Sequence, residues 1–183
     1  MNTENLLKKN LTNIQNLLKN KEFTKAEKLL QDNLKIEKNN FETFFLLGAI
    51  SGIKKKFDLA ETYLKKSLSI NPNHINANIN LAIILKKINK VVEARNLFEK
   101  VNQLDEKNLE SLCGLAQIYE ENKNFKEAEN FYQKVLKIDP YHHVANHAYG
   151  KLLLRFNKHQ EGLKLIEKIS GIIRFEKDNF KII

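Results

Sequence analysis

The stretch N-F-K-E-A-E-N-F-Y-Q-K-V-L-K-I-D-P-Y, from Asn124 to Tyr141, sets large apolar side chains at Phe131, Tyr132, Val135, Leu136 and Ile138 behind one small residue, Ala128. That spacing follows the 3.6-residue period of an amphipathic helix. Pro140 closes it, because proline has no N–H to donate and pushes its predecessor out of the helical region. The preceding run, Leu112 to Tyr119, predicts a partner helix with its own small residue, Ala116. Displaced by 34 residues, the unit recurs. Ala128 falls on Ala94, Ala60 and Ala26 toward the N-terminus and on Gly162 toward the C-terminus, and Pro140 falls on Pro72 two steps back.

Working outward, five units follow one another without insertion: 7–40, 41–74, 75–108, 109–142 and 143–176, after a polar lead at 1–6 and before a tail at 177–183. In the first unit Leu11, Ile14, Leu17 and Leu18 mark a helix over Leu7–Lys19, and Ala26, Leu29, Leu30 and Leu34 mark a second over Thr24–Glu37. Each later unit repeats the pair. Recurrence at a fixed interval predicts an array in which every unit buries its apolar face only against its neighbours.

Composition narrows the function classes. The 183 residues carry a net charge of +9, but segment 109–142 holds four lysines against six acids, so the basic excess is interrupted. Nucleic-acid binding calls for a clustered basic stripe, and this distribution disfavours it. No segment approaches the roughly 18 consecutive apolar residues of a membrane span, and the start M-N-T-E-N-L-L-K-K-N has no apolar signal core. The lone Cys113 precludes an intramolecular disulfide and fits a reducing compartment, so a cytoplasmic protein is expected.

No catalytic motif is present: the chain lacks G-x-S-x-G, a glycine-rich phosphate loop and H-E-x-x-H. Cys113 has no base within its own helix and is expected to pack as a small hydrophobe. His142, His143 and His147 are the one metal-like cluster, but no carboxylate or thiol stands at fitting spacing. A polar helix start is the simpler reading. Neither an enzyme nor a cofactor or metal site is expected.

The couples Leu47-Gly48, Leu81-Ala82, Leu115-Ala116 and Tyr149-Gly150 recur with Tyr119, with the small residues Ala60, Ala94 and Ala128, with the aromatics Phe98 and Tyr132, and with Pro72 and Pro140. Over residues 7–172 this pattern resembles the tetratricopeptide repeat. The resemblance implies an all-α, right-handed superhelical solenoid of antiparallel helix pairs, acting as a protein–protein interaction scaffold. It implies that the first helices line a concave groove holding a peptide segment of a partner. Carried over residue by residue, the groove is expected to contain Lys8, Gln15, Phe45, Ala49, Asn76, Ile79, Asn80, Ile83, Cys113, Gln117, His147 and Lys151.

The carboxylate clamp of some members is not reproduced, since Phe45 and Ala49 replace its first Lys and Asn and only Asn80 matches. The asparagine ladder of the glycosyltransferase arrays is likewise matched only at Asn80. Phe45, Ala49, Ile79, Ile83 and Cys113 instead suggest an apolar middle with a polar surround, suited to an amphipathic peptide. The alternative is that some of these apolar residues pack between first helices. An alternative function is an accessory or substrate-recruiting module for a transferase or oxygenase, encoded separately or lost from the C-terminus.

Departures mark the ends and the joints. Asn10 and Asn13-Ile14 make the first unit a polar cap. Asn78 and Asn146 occupy positions where the family carries a large residue, and they are expected to loosen two joints. Lys21, Lys54, Lys55, Lys56, Lys90, Lys123 and Lys158 fall in the turns and predict a basic edge, either solvated or contacting an acidic partner, RNA or anionic lipid. The tail, with Ile172, Ile173, Phe175, Phe180, Ile182 and Ile183, is too apolar to stand free in water. Residues 171–183 are expected to cap the last repeat, with self-association or a docking strand as alternatives.

Overall fold

The computed structural model describes residues 3–170, 173–176 and 179–182, with side chains over residues 5–170. The helices are α1 (Thr3–Lys19), α2 (Phe23–Ile36), α3 (Phe41–Ile53), α4 (Phe57–Ile70), α5 (Ile75–Lys87), α6 (Val91–Leu104), α7 (Leu109–Glu121), α8 (Phe125–Ile138), α9 (His143–Arg155) and α10 (His159–Ser170). The chain divides into two compact units, residues 1–97 and 98–183, with the division inside α6. Helices that are neighbours in sequence pack together within each unit, the α3/α4, α7/α8 and α9/α10 pairs most extensively. No described helix is long and apolar enough to cross a membrane.

Small residues sit where the helices approach most closely. In the first unit a Cβ on Gly48 would lie 2.6 Å from Leu64 Cγ, so glycine is what lets α3 meet α4. In the second unit a Cβ on Gly162 would lie 2.7 Å from the Gly150 carbonyl oxygen, and one on Gly150 would lie 2.9 Å from that of Gly162. The last pair thus meets backbone to backbone, which accounts for glycine replacing the alanine of the other units. Gly114 has a role that the spacing does not announce: the Phe98 ring lies 2.5 Å from where its Cβ would be. The cores are Ile14, Ala26, Leu30, Leu47 and Ile50 in the first unit, and Leu112, Ala116, Ala128, Tyr132, Val135 and Leu152 in the second.

Each first helix ends in the same way. Lys21, Lys55, Asn89, Lys123 and Asn157 have φ of 58–64°, one repeat apart. The next N–H returns to the helix at 2.8–3.0 Å, from Glu22 to Leu17, Lys56 to Ser51, Lys90 to Leu85, Asn124 to Tyr119 and Lys158 to Leu153. This is a left-handed C-terminal cap built without its usual glycine. A residue with a Cβ is strained there, which outweighs the extra chain entropy of glycine. Lys55→Gly is therefore expected to raise stability by about 0.5–1 kcal/mol, seen as a higher urea midpoint; a lower one would contradict the cap.

The entries to the first helices alternate between two chemistries. Asn40 Oδ1 accepts the Thr43 N–H at 2.8 Å and Asn108 Oδ1 accepts that of Ser111 at 3.0 Å. His74 Nδ1 accepts the Ala77 N–H at 3.1 Å and His142 Nδ1 that of Ala145 at 3.3 Å. Where histidine caps, a buried asparagine fastens the turn. Asn78 Nδ2 donates to the Pro72 and His74 carbonyls at 3.0 and 2.9 Å, and Asn146 Nδ2 donates to those of Pro140 and His142 at 3.0 and 3.1 Å. The expectation that these asparagines loosen their joints is corrected: each latches its helix to the proline turn before it.

The C-terminal segment adds strand to the helical array. β1 (Ile173–Glu176) pairs antiparallel with β2 (Asn179–Ile182), Ile173 opposite Ile182 and Phe175 opposite Phe180. The helical part of the last unit accordingly stops at Ser170, short of the sequence boundary at 176. At the other end α1 starts at Thr3, inside the polar lead. The expected capping contacts of 171–183 fall on side chains outside the described residues.

Candidate functional site

Two faces of the first compact unit converge on a cavity of about 340 Å³. Gly48, Ala49, Gly52 and Ile53 come from α3, at positions one helical turn apart. Asn80, Ile83, Ile84 and Lys87 come from the matching face of α5. Phe57 and Leu64 of α4 form the floor. Glycine at 52 keeps the wall open, since a Cβ there would meet Ile84 Cδ1 at 3.0 Å. Ile53 and Ile83 remain 58% and 44% exposed, an unusual state for two neighbouring isoleucines.

The expected groove residues separate by environment. Ala49, Asn80 and Ile83 meet in this cavity. Phe45 is half-buried and packs edge-on against His74 at 5.1 Å, so its ring belongs to the α5 cap. Ile79 and Cys113 are buried, 6% and 7% exposed, and supply packing where the groove reading placed contact surface. Lys8, Gln15, Asn76, His147 and Lys151 are exposed on α1, α5 and α9. Gln117 lies in the second unit, in a polar cavity of about 400 Å³ with Glu120, Glu121, Lys123 and Arg155. Sequence reasoning missed Gly52, Ile53, Phe57 and Lys87. The signal was available, since Ala49–Ile53 and Ile83–Lys87 are spaced four apart on the faces already chosen.

Cys113 Sγ lies 3.8 Å from His142 Nδ1, but that nitrogen already takes the Ala145 N–H. Burial pushes the thiol up to about 12, far from the thiolate a nucleophile needs. The turn lysines also divide. Lys54 pairs with Glu27, Lys90 with both oxygens of Glu61 at 2.9 and 3.0 Å, and Lys158 approaches Glu129 at 3.8 Å. Hydrogen bonds from Lys65 and Lys90 hold the Glu61 carboxyl below its ordinary range. Lys21, Lys55 and Lys123 are the left-handed cap residues. Three of the seven turn lysines are thus answered by acids of the preceding repeat, while Lys21, Lys55, Lys56 and Lys123 are exposed.

Residues 41–74 and 109–142 each match the tetratricopeptide repeat family. No curated protein sequence matches the chain significantly. Among solved structures, MamA from Desulfovibrio magneticus RS-1 is 21% identical with a TM-score of 0.79, covering 89% of this chain and 92% of that one. PilF of Pseudomonas aeruginosa is 14% identical with a TM-score of 0.82, covering 93% and 79%. YrrB, described as a TPR protein with an unusual peptide-binding site, is 17% identical with a TM-score of 0.69, covering 85% and 80%. At these identities the likeness is one of fold.

Proposed function

Because the chain is a tetratricopeptide-repeat protein and its fold is that of an interaction scaffold, we propose that it holds a peptide segment of a partner protein at the cavity between α3 and α5. The observation that carries this reading is the convergence of Ile53, Ile83 and Phe57 on open space, with Asn80 and Lys87 at its edge. An apolar side chain fills such a space, and the Asn80 amide and Lys87 ammonium fix the backbone and an acidic neighbour beside it.

Burying one large apolar anchor contributes about 1.5–3 kcal/mol, roughly 10- to 150-fold in affinity. Peptides selected from a displayed library on the full chain, then titrated by fluorescence anisotropy, test this. Ile53→Glu and Ile83→Glu are each expected to weaken the selected peptides at least about tenfold, with helicity unchanged. Undiminished binding by both folded variants would remove the site from this cavity.

A further inference from the structure

The second compact unit holds an apolar pocket that shares only two repeat positions with the first cavity, and its edge carries a charge pattern that the equivalent place in the first unit lacks. Phe125 of α8, Leu152 and Leu153 of α9, and Phe156 of the following turn enclose about 300 Å³, with Phe156 49% exposed. The two phenyl rings stand edge to face at 5.1 Å. Lys126, Glu129 and Lys158 form the rim.

The equivalent place in the first unit, 68 residues earlier, is Phe57, Ile84, Leu85 and Ile88 with Asp58, Glu61 and Lys90. There Lys90 hydrogen-bonds both Glu61 oxygens, and Lys65 takes one of them at 2.6 Å. Its charges are satisfied internally. In the second unit the Tyr149 hydroxyl donates to Glu129 Oε1 at 2.6 Å, and Lys158 stands back at 3.8 Å, half its side chain in solvent. Lys126, exposed, replaces the acid at 58. The rim therefore carries two ammonium groups against one carboxylate, Lys126 exposed and Lys158 only loosely paired to Glu129.

We propose that this pocket is a second docking site, for an acidic segment of a partner protein that seats one bulky apolar side chain against Phe125, Leu152 and Phe156. Carboxylates on either side of that anchor meet Lys126 and Lys158. The site is independent of the α3/α5 cavity, shares none of its residues, and stands whether or not that cavity binds peptide.

The probe is a fluorescein-labelled nonapeptide with a central Phe flanked by Asp and Glu, compared with its Ala-for-Phe and Lys-for-acid counterparts. Each is titrated into the full chain by anisotropy and mapped by backbone amide shifts. The acidic Phe peptide is expected to bind, with shifts centred on 125–129 and 152–158, and both counterparts at least about tenfold weaker. The double neutralisation K126Q/K158Q removes only the rim ammonium groups and is expected to lose at least about tenfold at low salt while nearly keeping its melting temperature, since the Lys158–Glu129 pair is loose. Ile83→Glu is expected to leave this binding unchanged. Three results would overturn the proposal: equal binding of the Lys-for-acid peptide, shifts centred on α3 and α5, or a wild-type chain that is dimeric with the pocket resonances already perturbed. The last would make a second copy the occupant.

Discussion

Tyr132→Ala is expected to lower the stability of the 98–183 unit by about 3–5 kcal/mol, the range for deleting a fully enclosed aromatic side chain. The ring has no exposed surface, lies among Ala116, Ala128, Val135 and Ala145, and stacks on Tyr149 with centroids 6.1 Å apart. Ala116, Ala128 and Ala145 are too short to fill the space, so a cavity term adds to the lost transfer energy. The hydroxyl donates to Glu120 Oε2 at 2.8 Å, and burial raises its pKa above the ordinary phenol value. Tyr132→Phe keeps the ring and removes that single bond, so it should cost only about 1–2 kcal/mol. Urea unfolding of the two variants separates the contributions. Equal losses would mean that the Glu120 bond, rather than the ring, holds α7 to α8.

That aromatic was legible in the sequence because its role depends on spacing. Tyr132 follows Ala128 by one helical turn, and the same interval brings Phe98 behind Ala94. Small residues at 26, 60, 94, 128 and 162 announce where helices touch, and Gly150–Gly162 shows the contact at its tightest. Gly114 was not legible as a contact. Its vacancy is filled by the Phe98 ring from another helix, and no periodicity within α7 encodes that neighbour.

The turns were harder to read for a chemical reason. A left-handed cap is recognised by glycine, and here lysine or asparagine holds the position at φ near 60°. Those lysines carry exposed charge and hold the turn as well, and only the charge was legible in the sequence. The cavity was half legible. Ala49, Asn80 and Ile83 line one cavity, since residues on matching helix phases come together from repeat to repeat. Ile79 stands one step around α5 from Asn80, which turns its side chain from the cavity into the core, and Cys113 is buried in the same way on α7.

The two joints with proline, histidine and asparagine were visible as a 68-residue spacing, yet Asn78 and Asn146 read as gaps because a large residue was expected there. Asn146→Asp is the sharpest test of what the structure puts in its place. The change swaps an NH₂ for an oxygen with almost no change of volume, so packing is not at issue. Asn146 has no exposed surface, and its Nδ2 faces the Pro140 and His142 carbonyl oxygens at 3.0 and 3.1 Å. A carboxylate there would oppose two acceptors with no donor in return, a loss of about 3–5 kcal/mol for an uncompensated buried charge. The position lies in the first turn of α9, where the helix dipole favours a negative charge by only about 0.3–1 kcal/mol. Desolvation wins.

The introduced carboxyl can escape by keeping its proton, and the O–H can then donate to one carbonyl. Its folded-state pKa is therefore raised above the ordinary value of about 3.9. The folded state then binds a proton that the unfolded chain releases, so the variant is best tolerated below that value and loses stability as pH rises above it. Urea midpoints of wild type and Asn146→Asp should lie closest near pH 4 and separate progressively toward pH 8. Asn146→Ala loses the same two bonds without a charge, at about 1–3 kcal/mol, with a gap that does not change with pH. A carboxylate variant no worse than the alanine one at pH 8 would mean that the Nδ2 bonds to the Pro140 and His142 carbonyls do not hold the turn, and the latch would have to be abandoned.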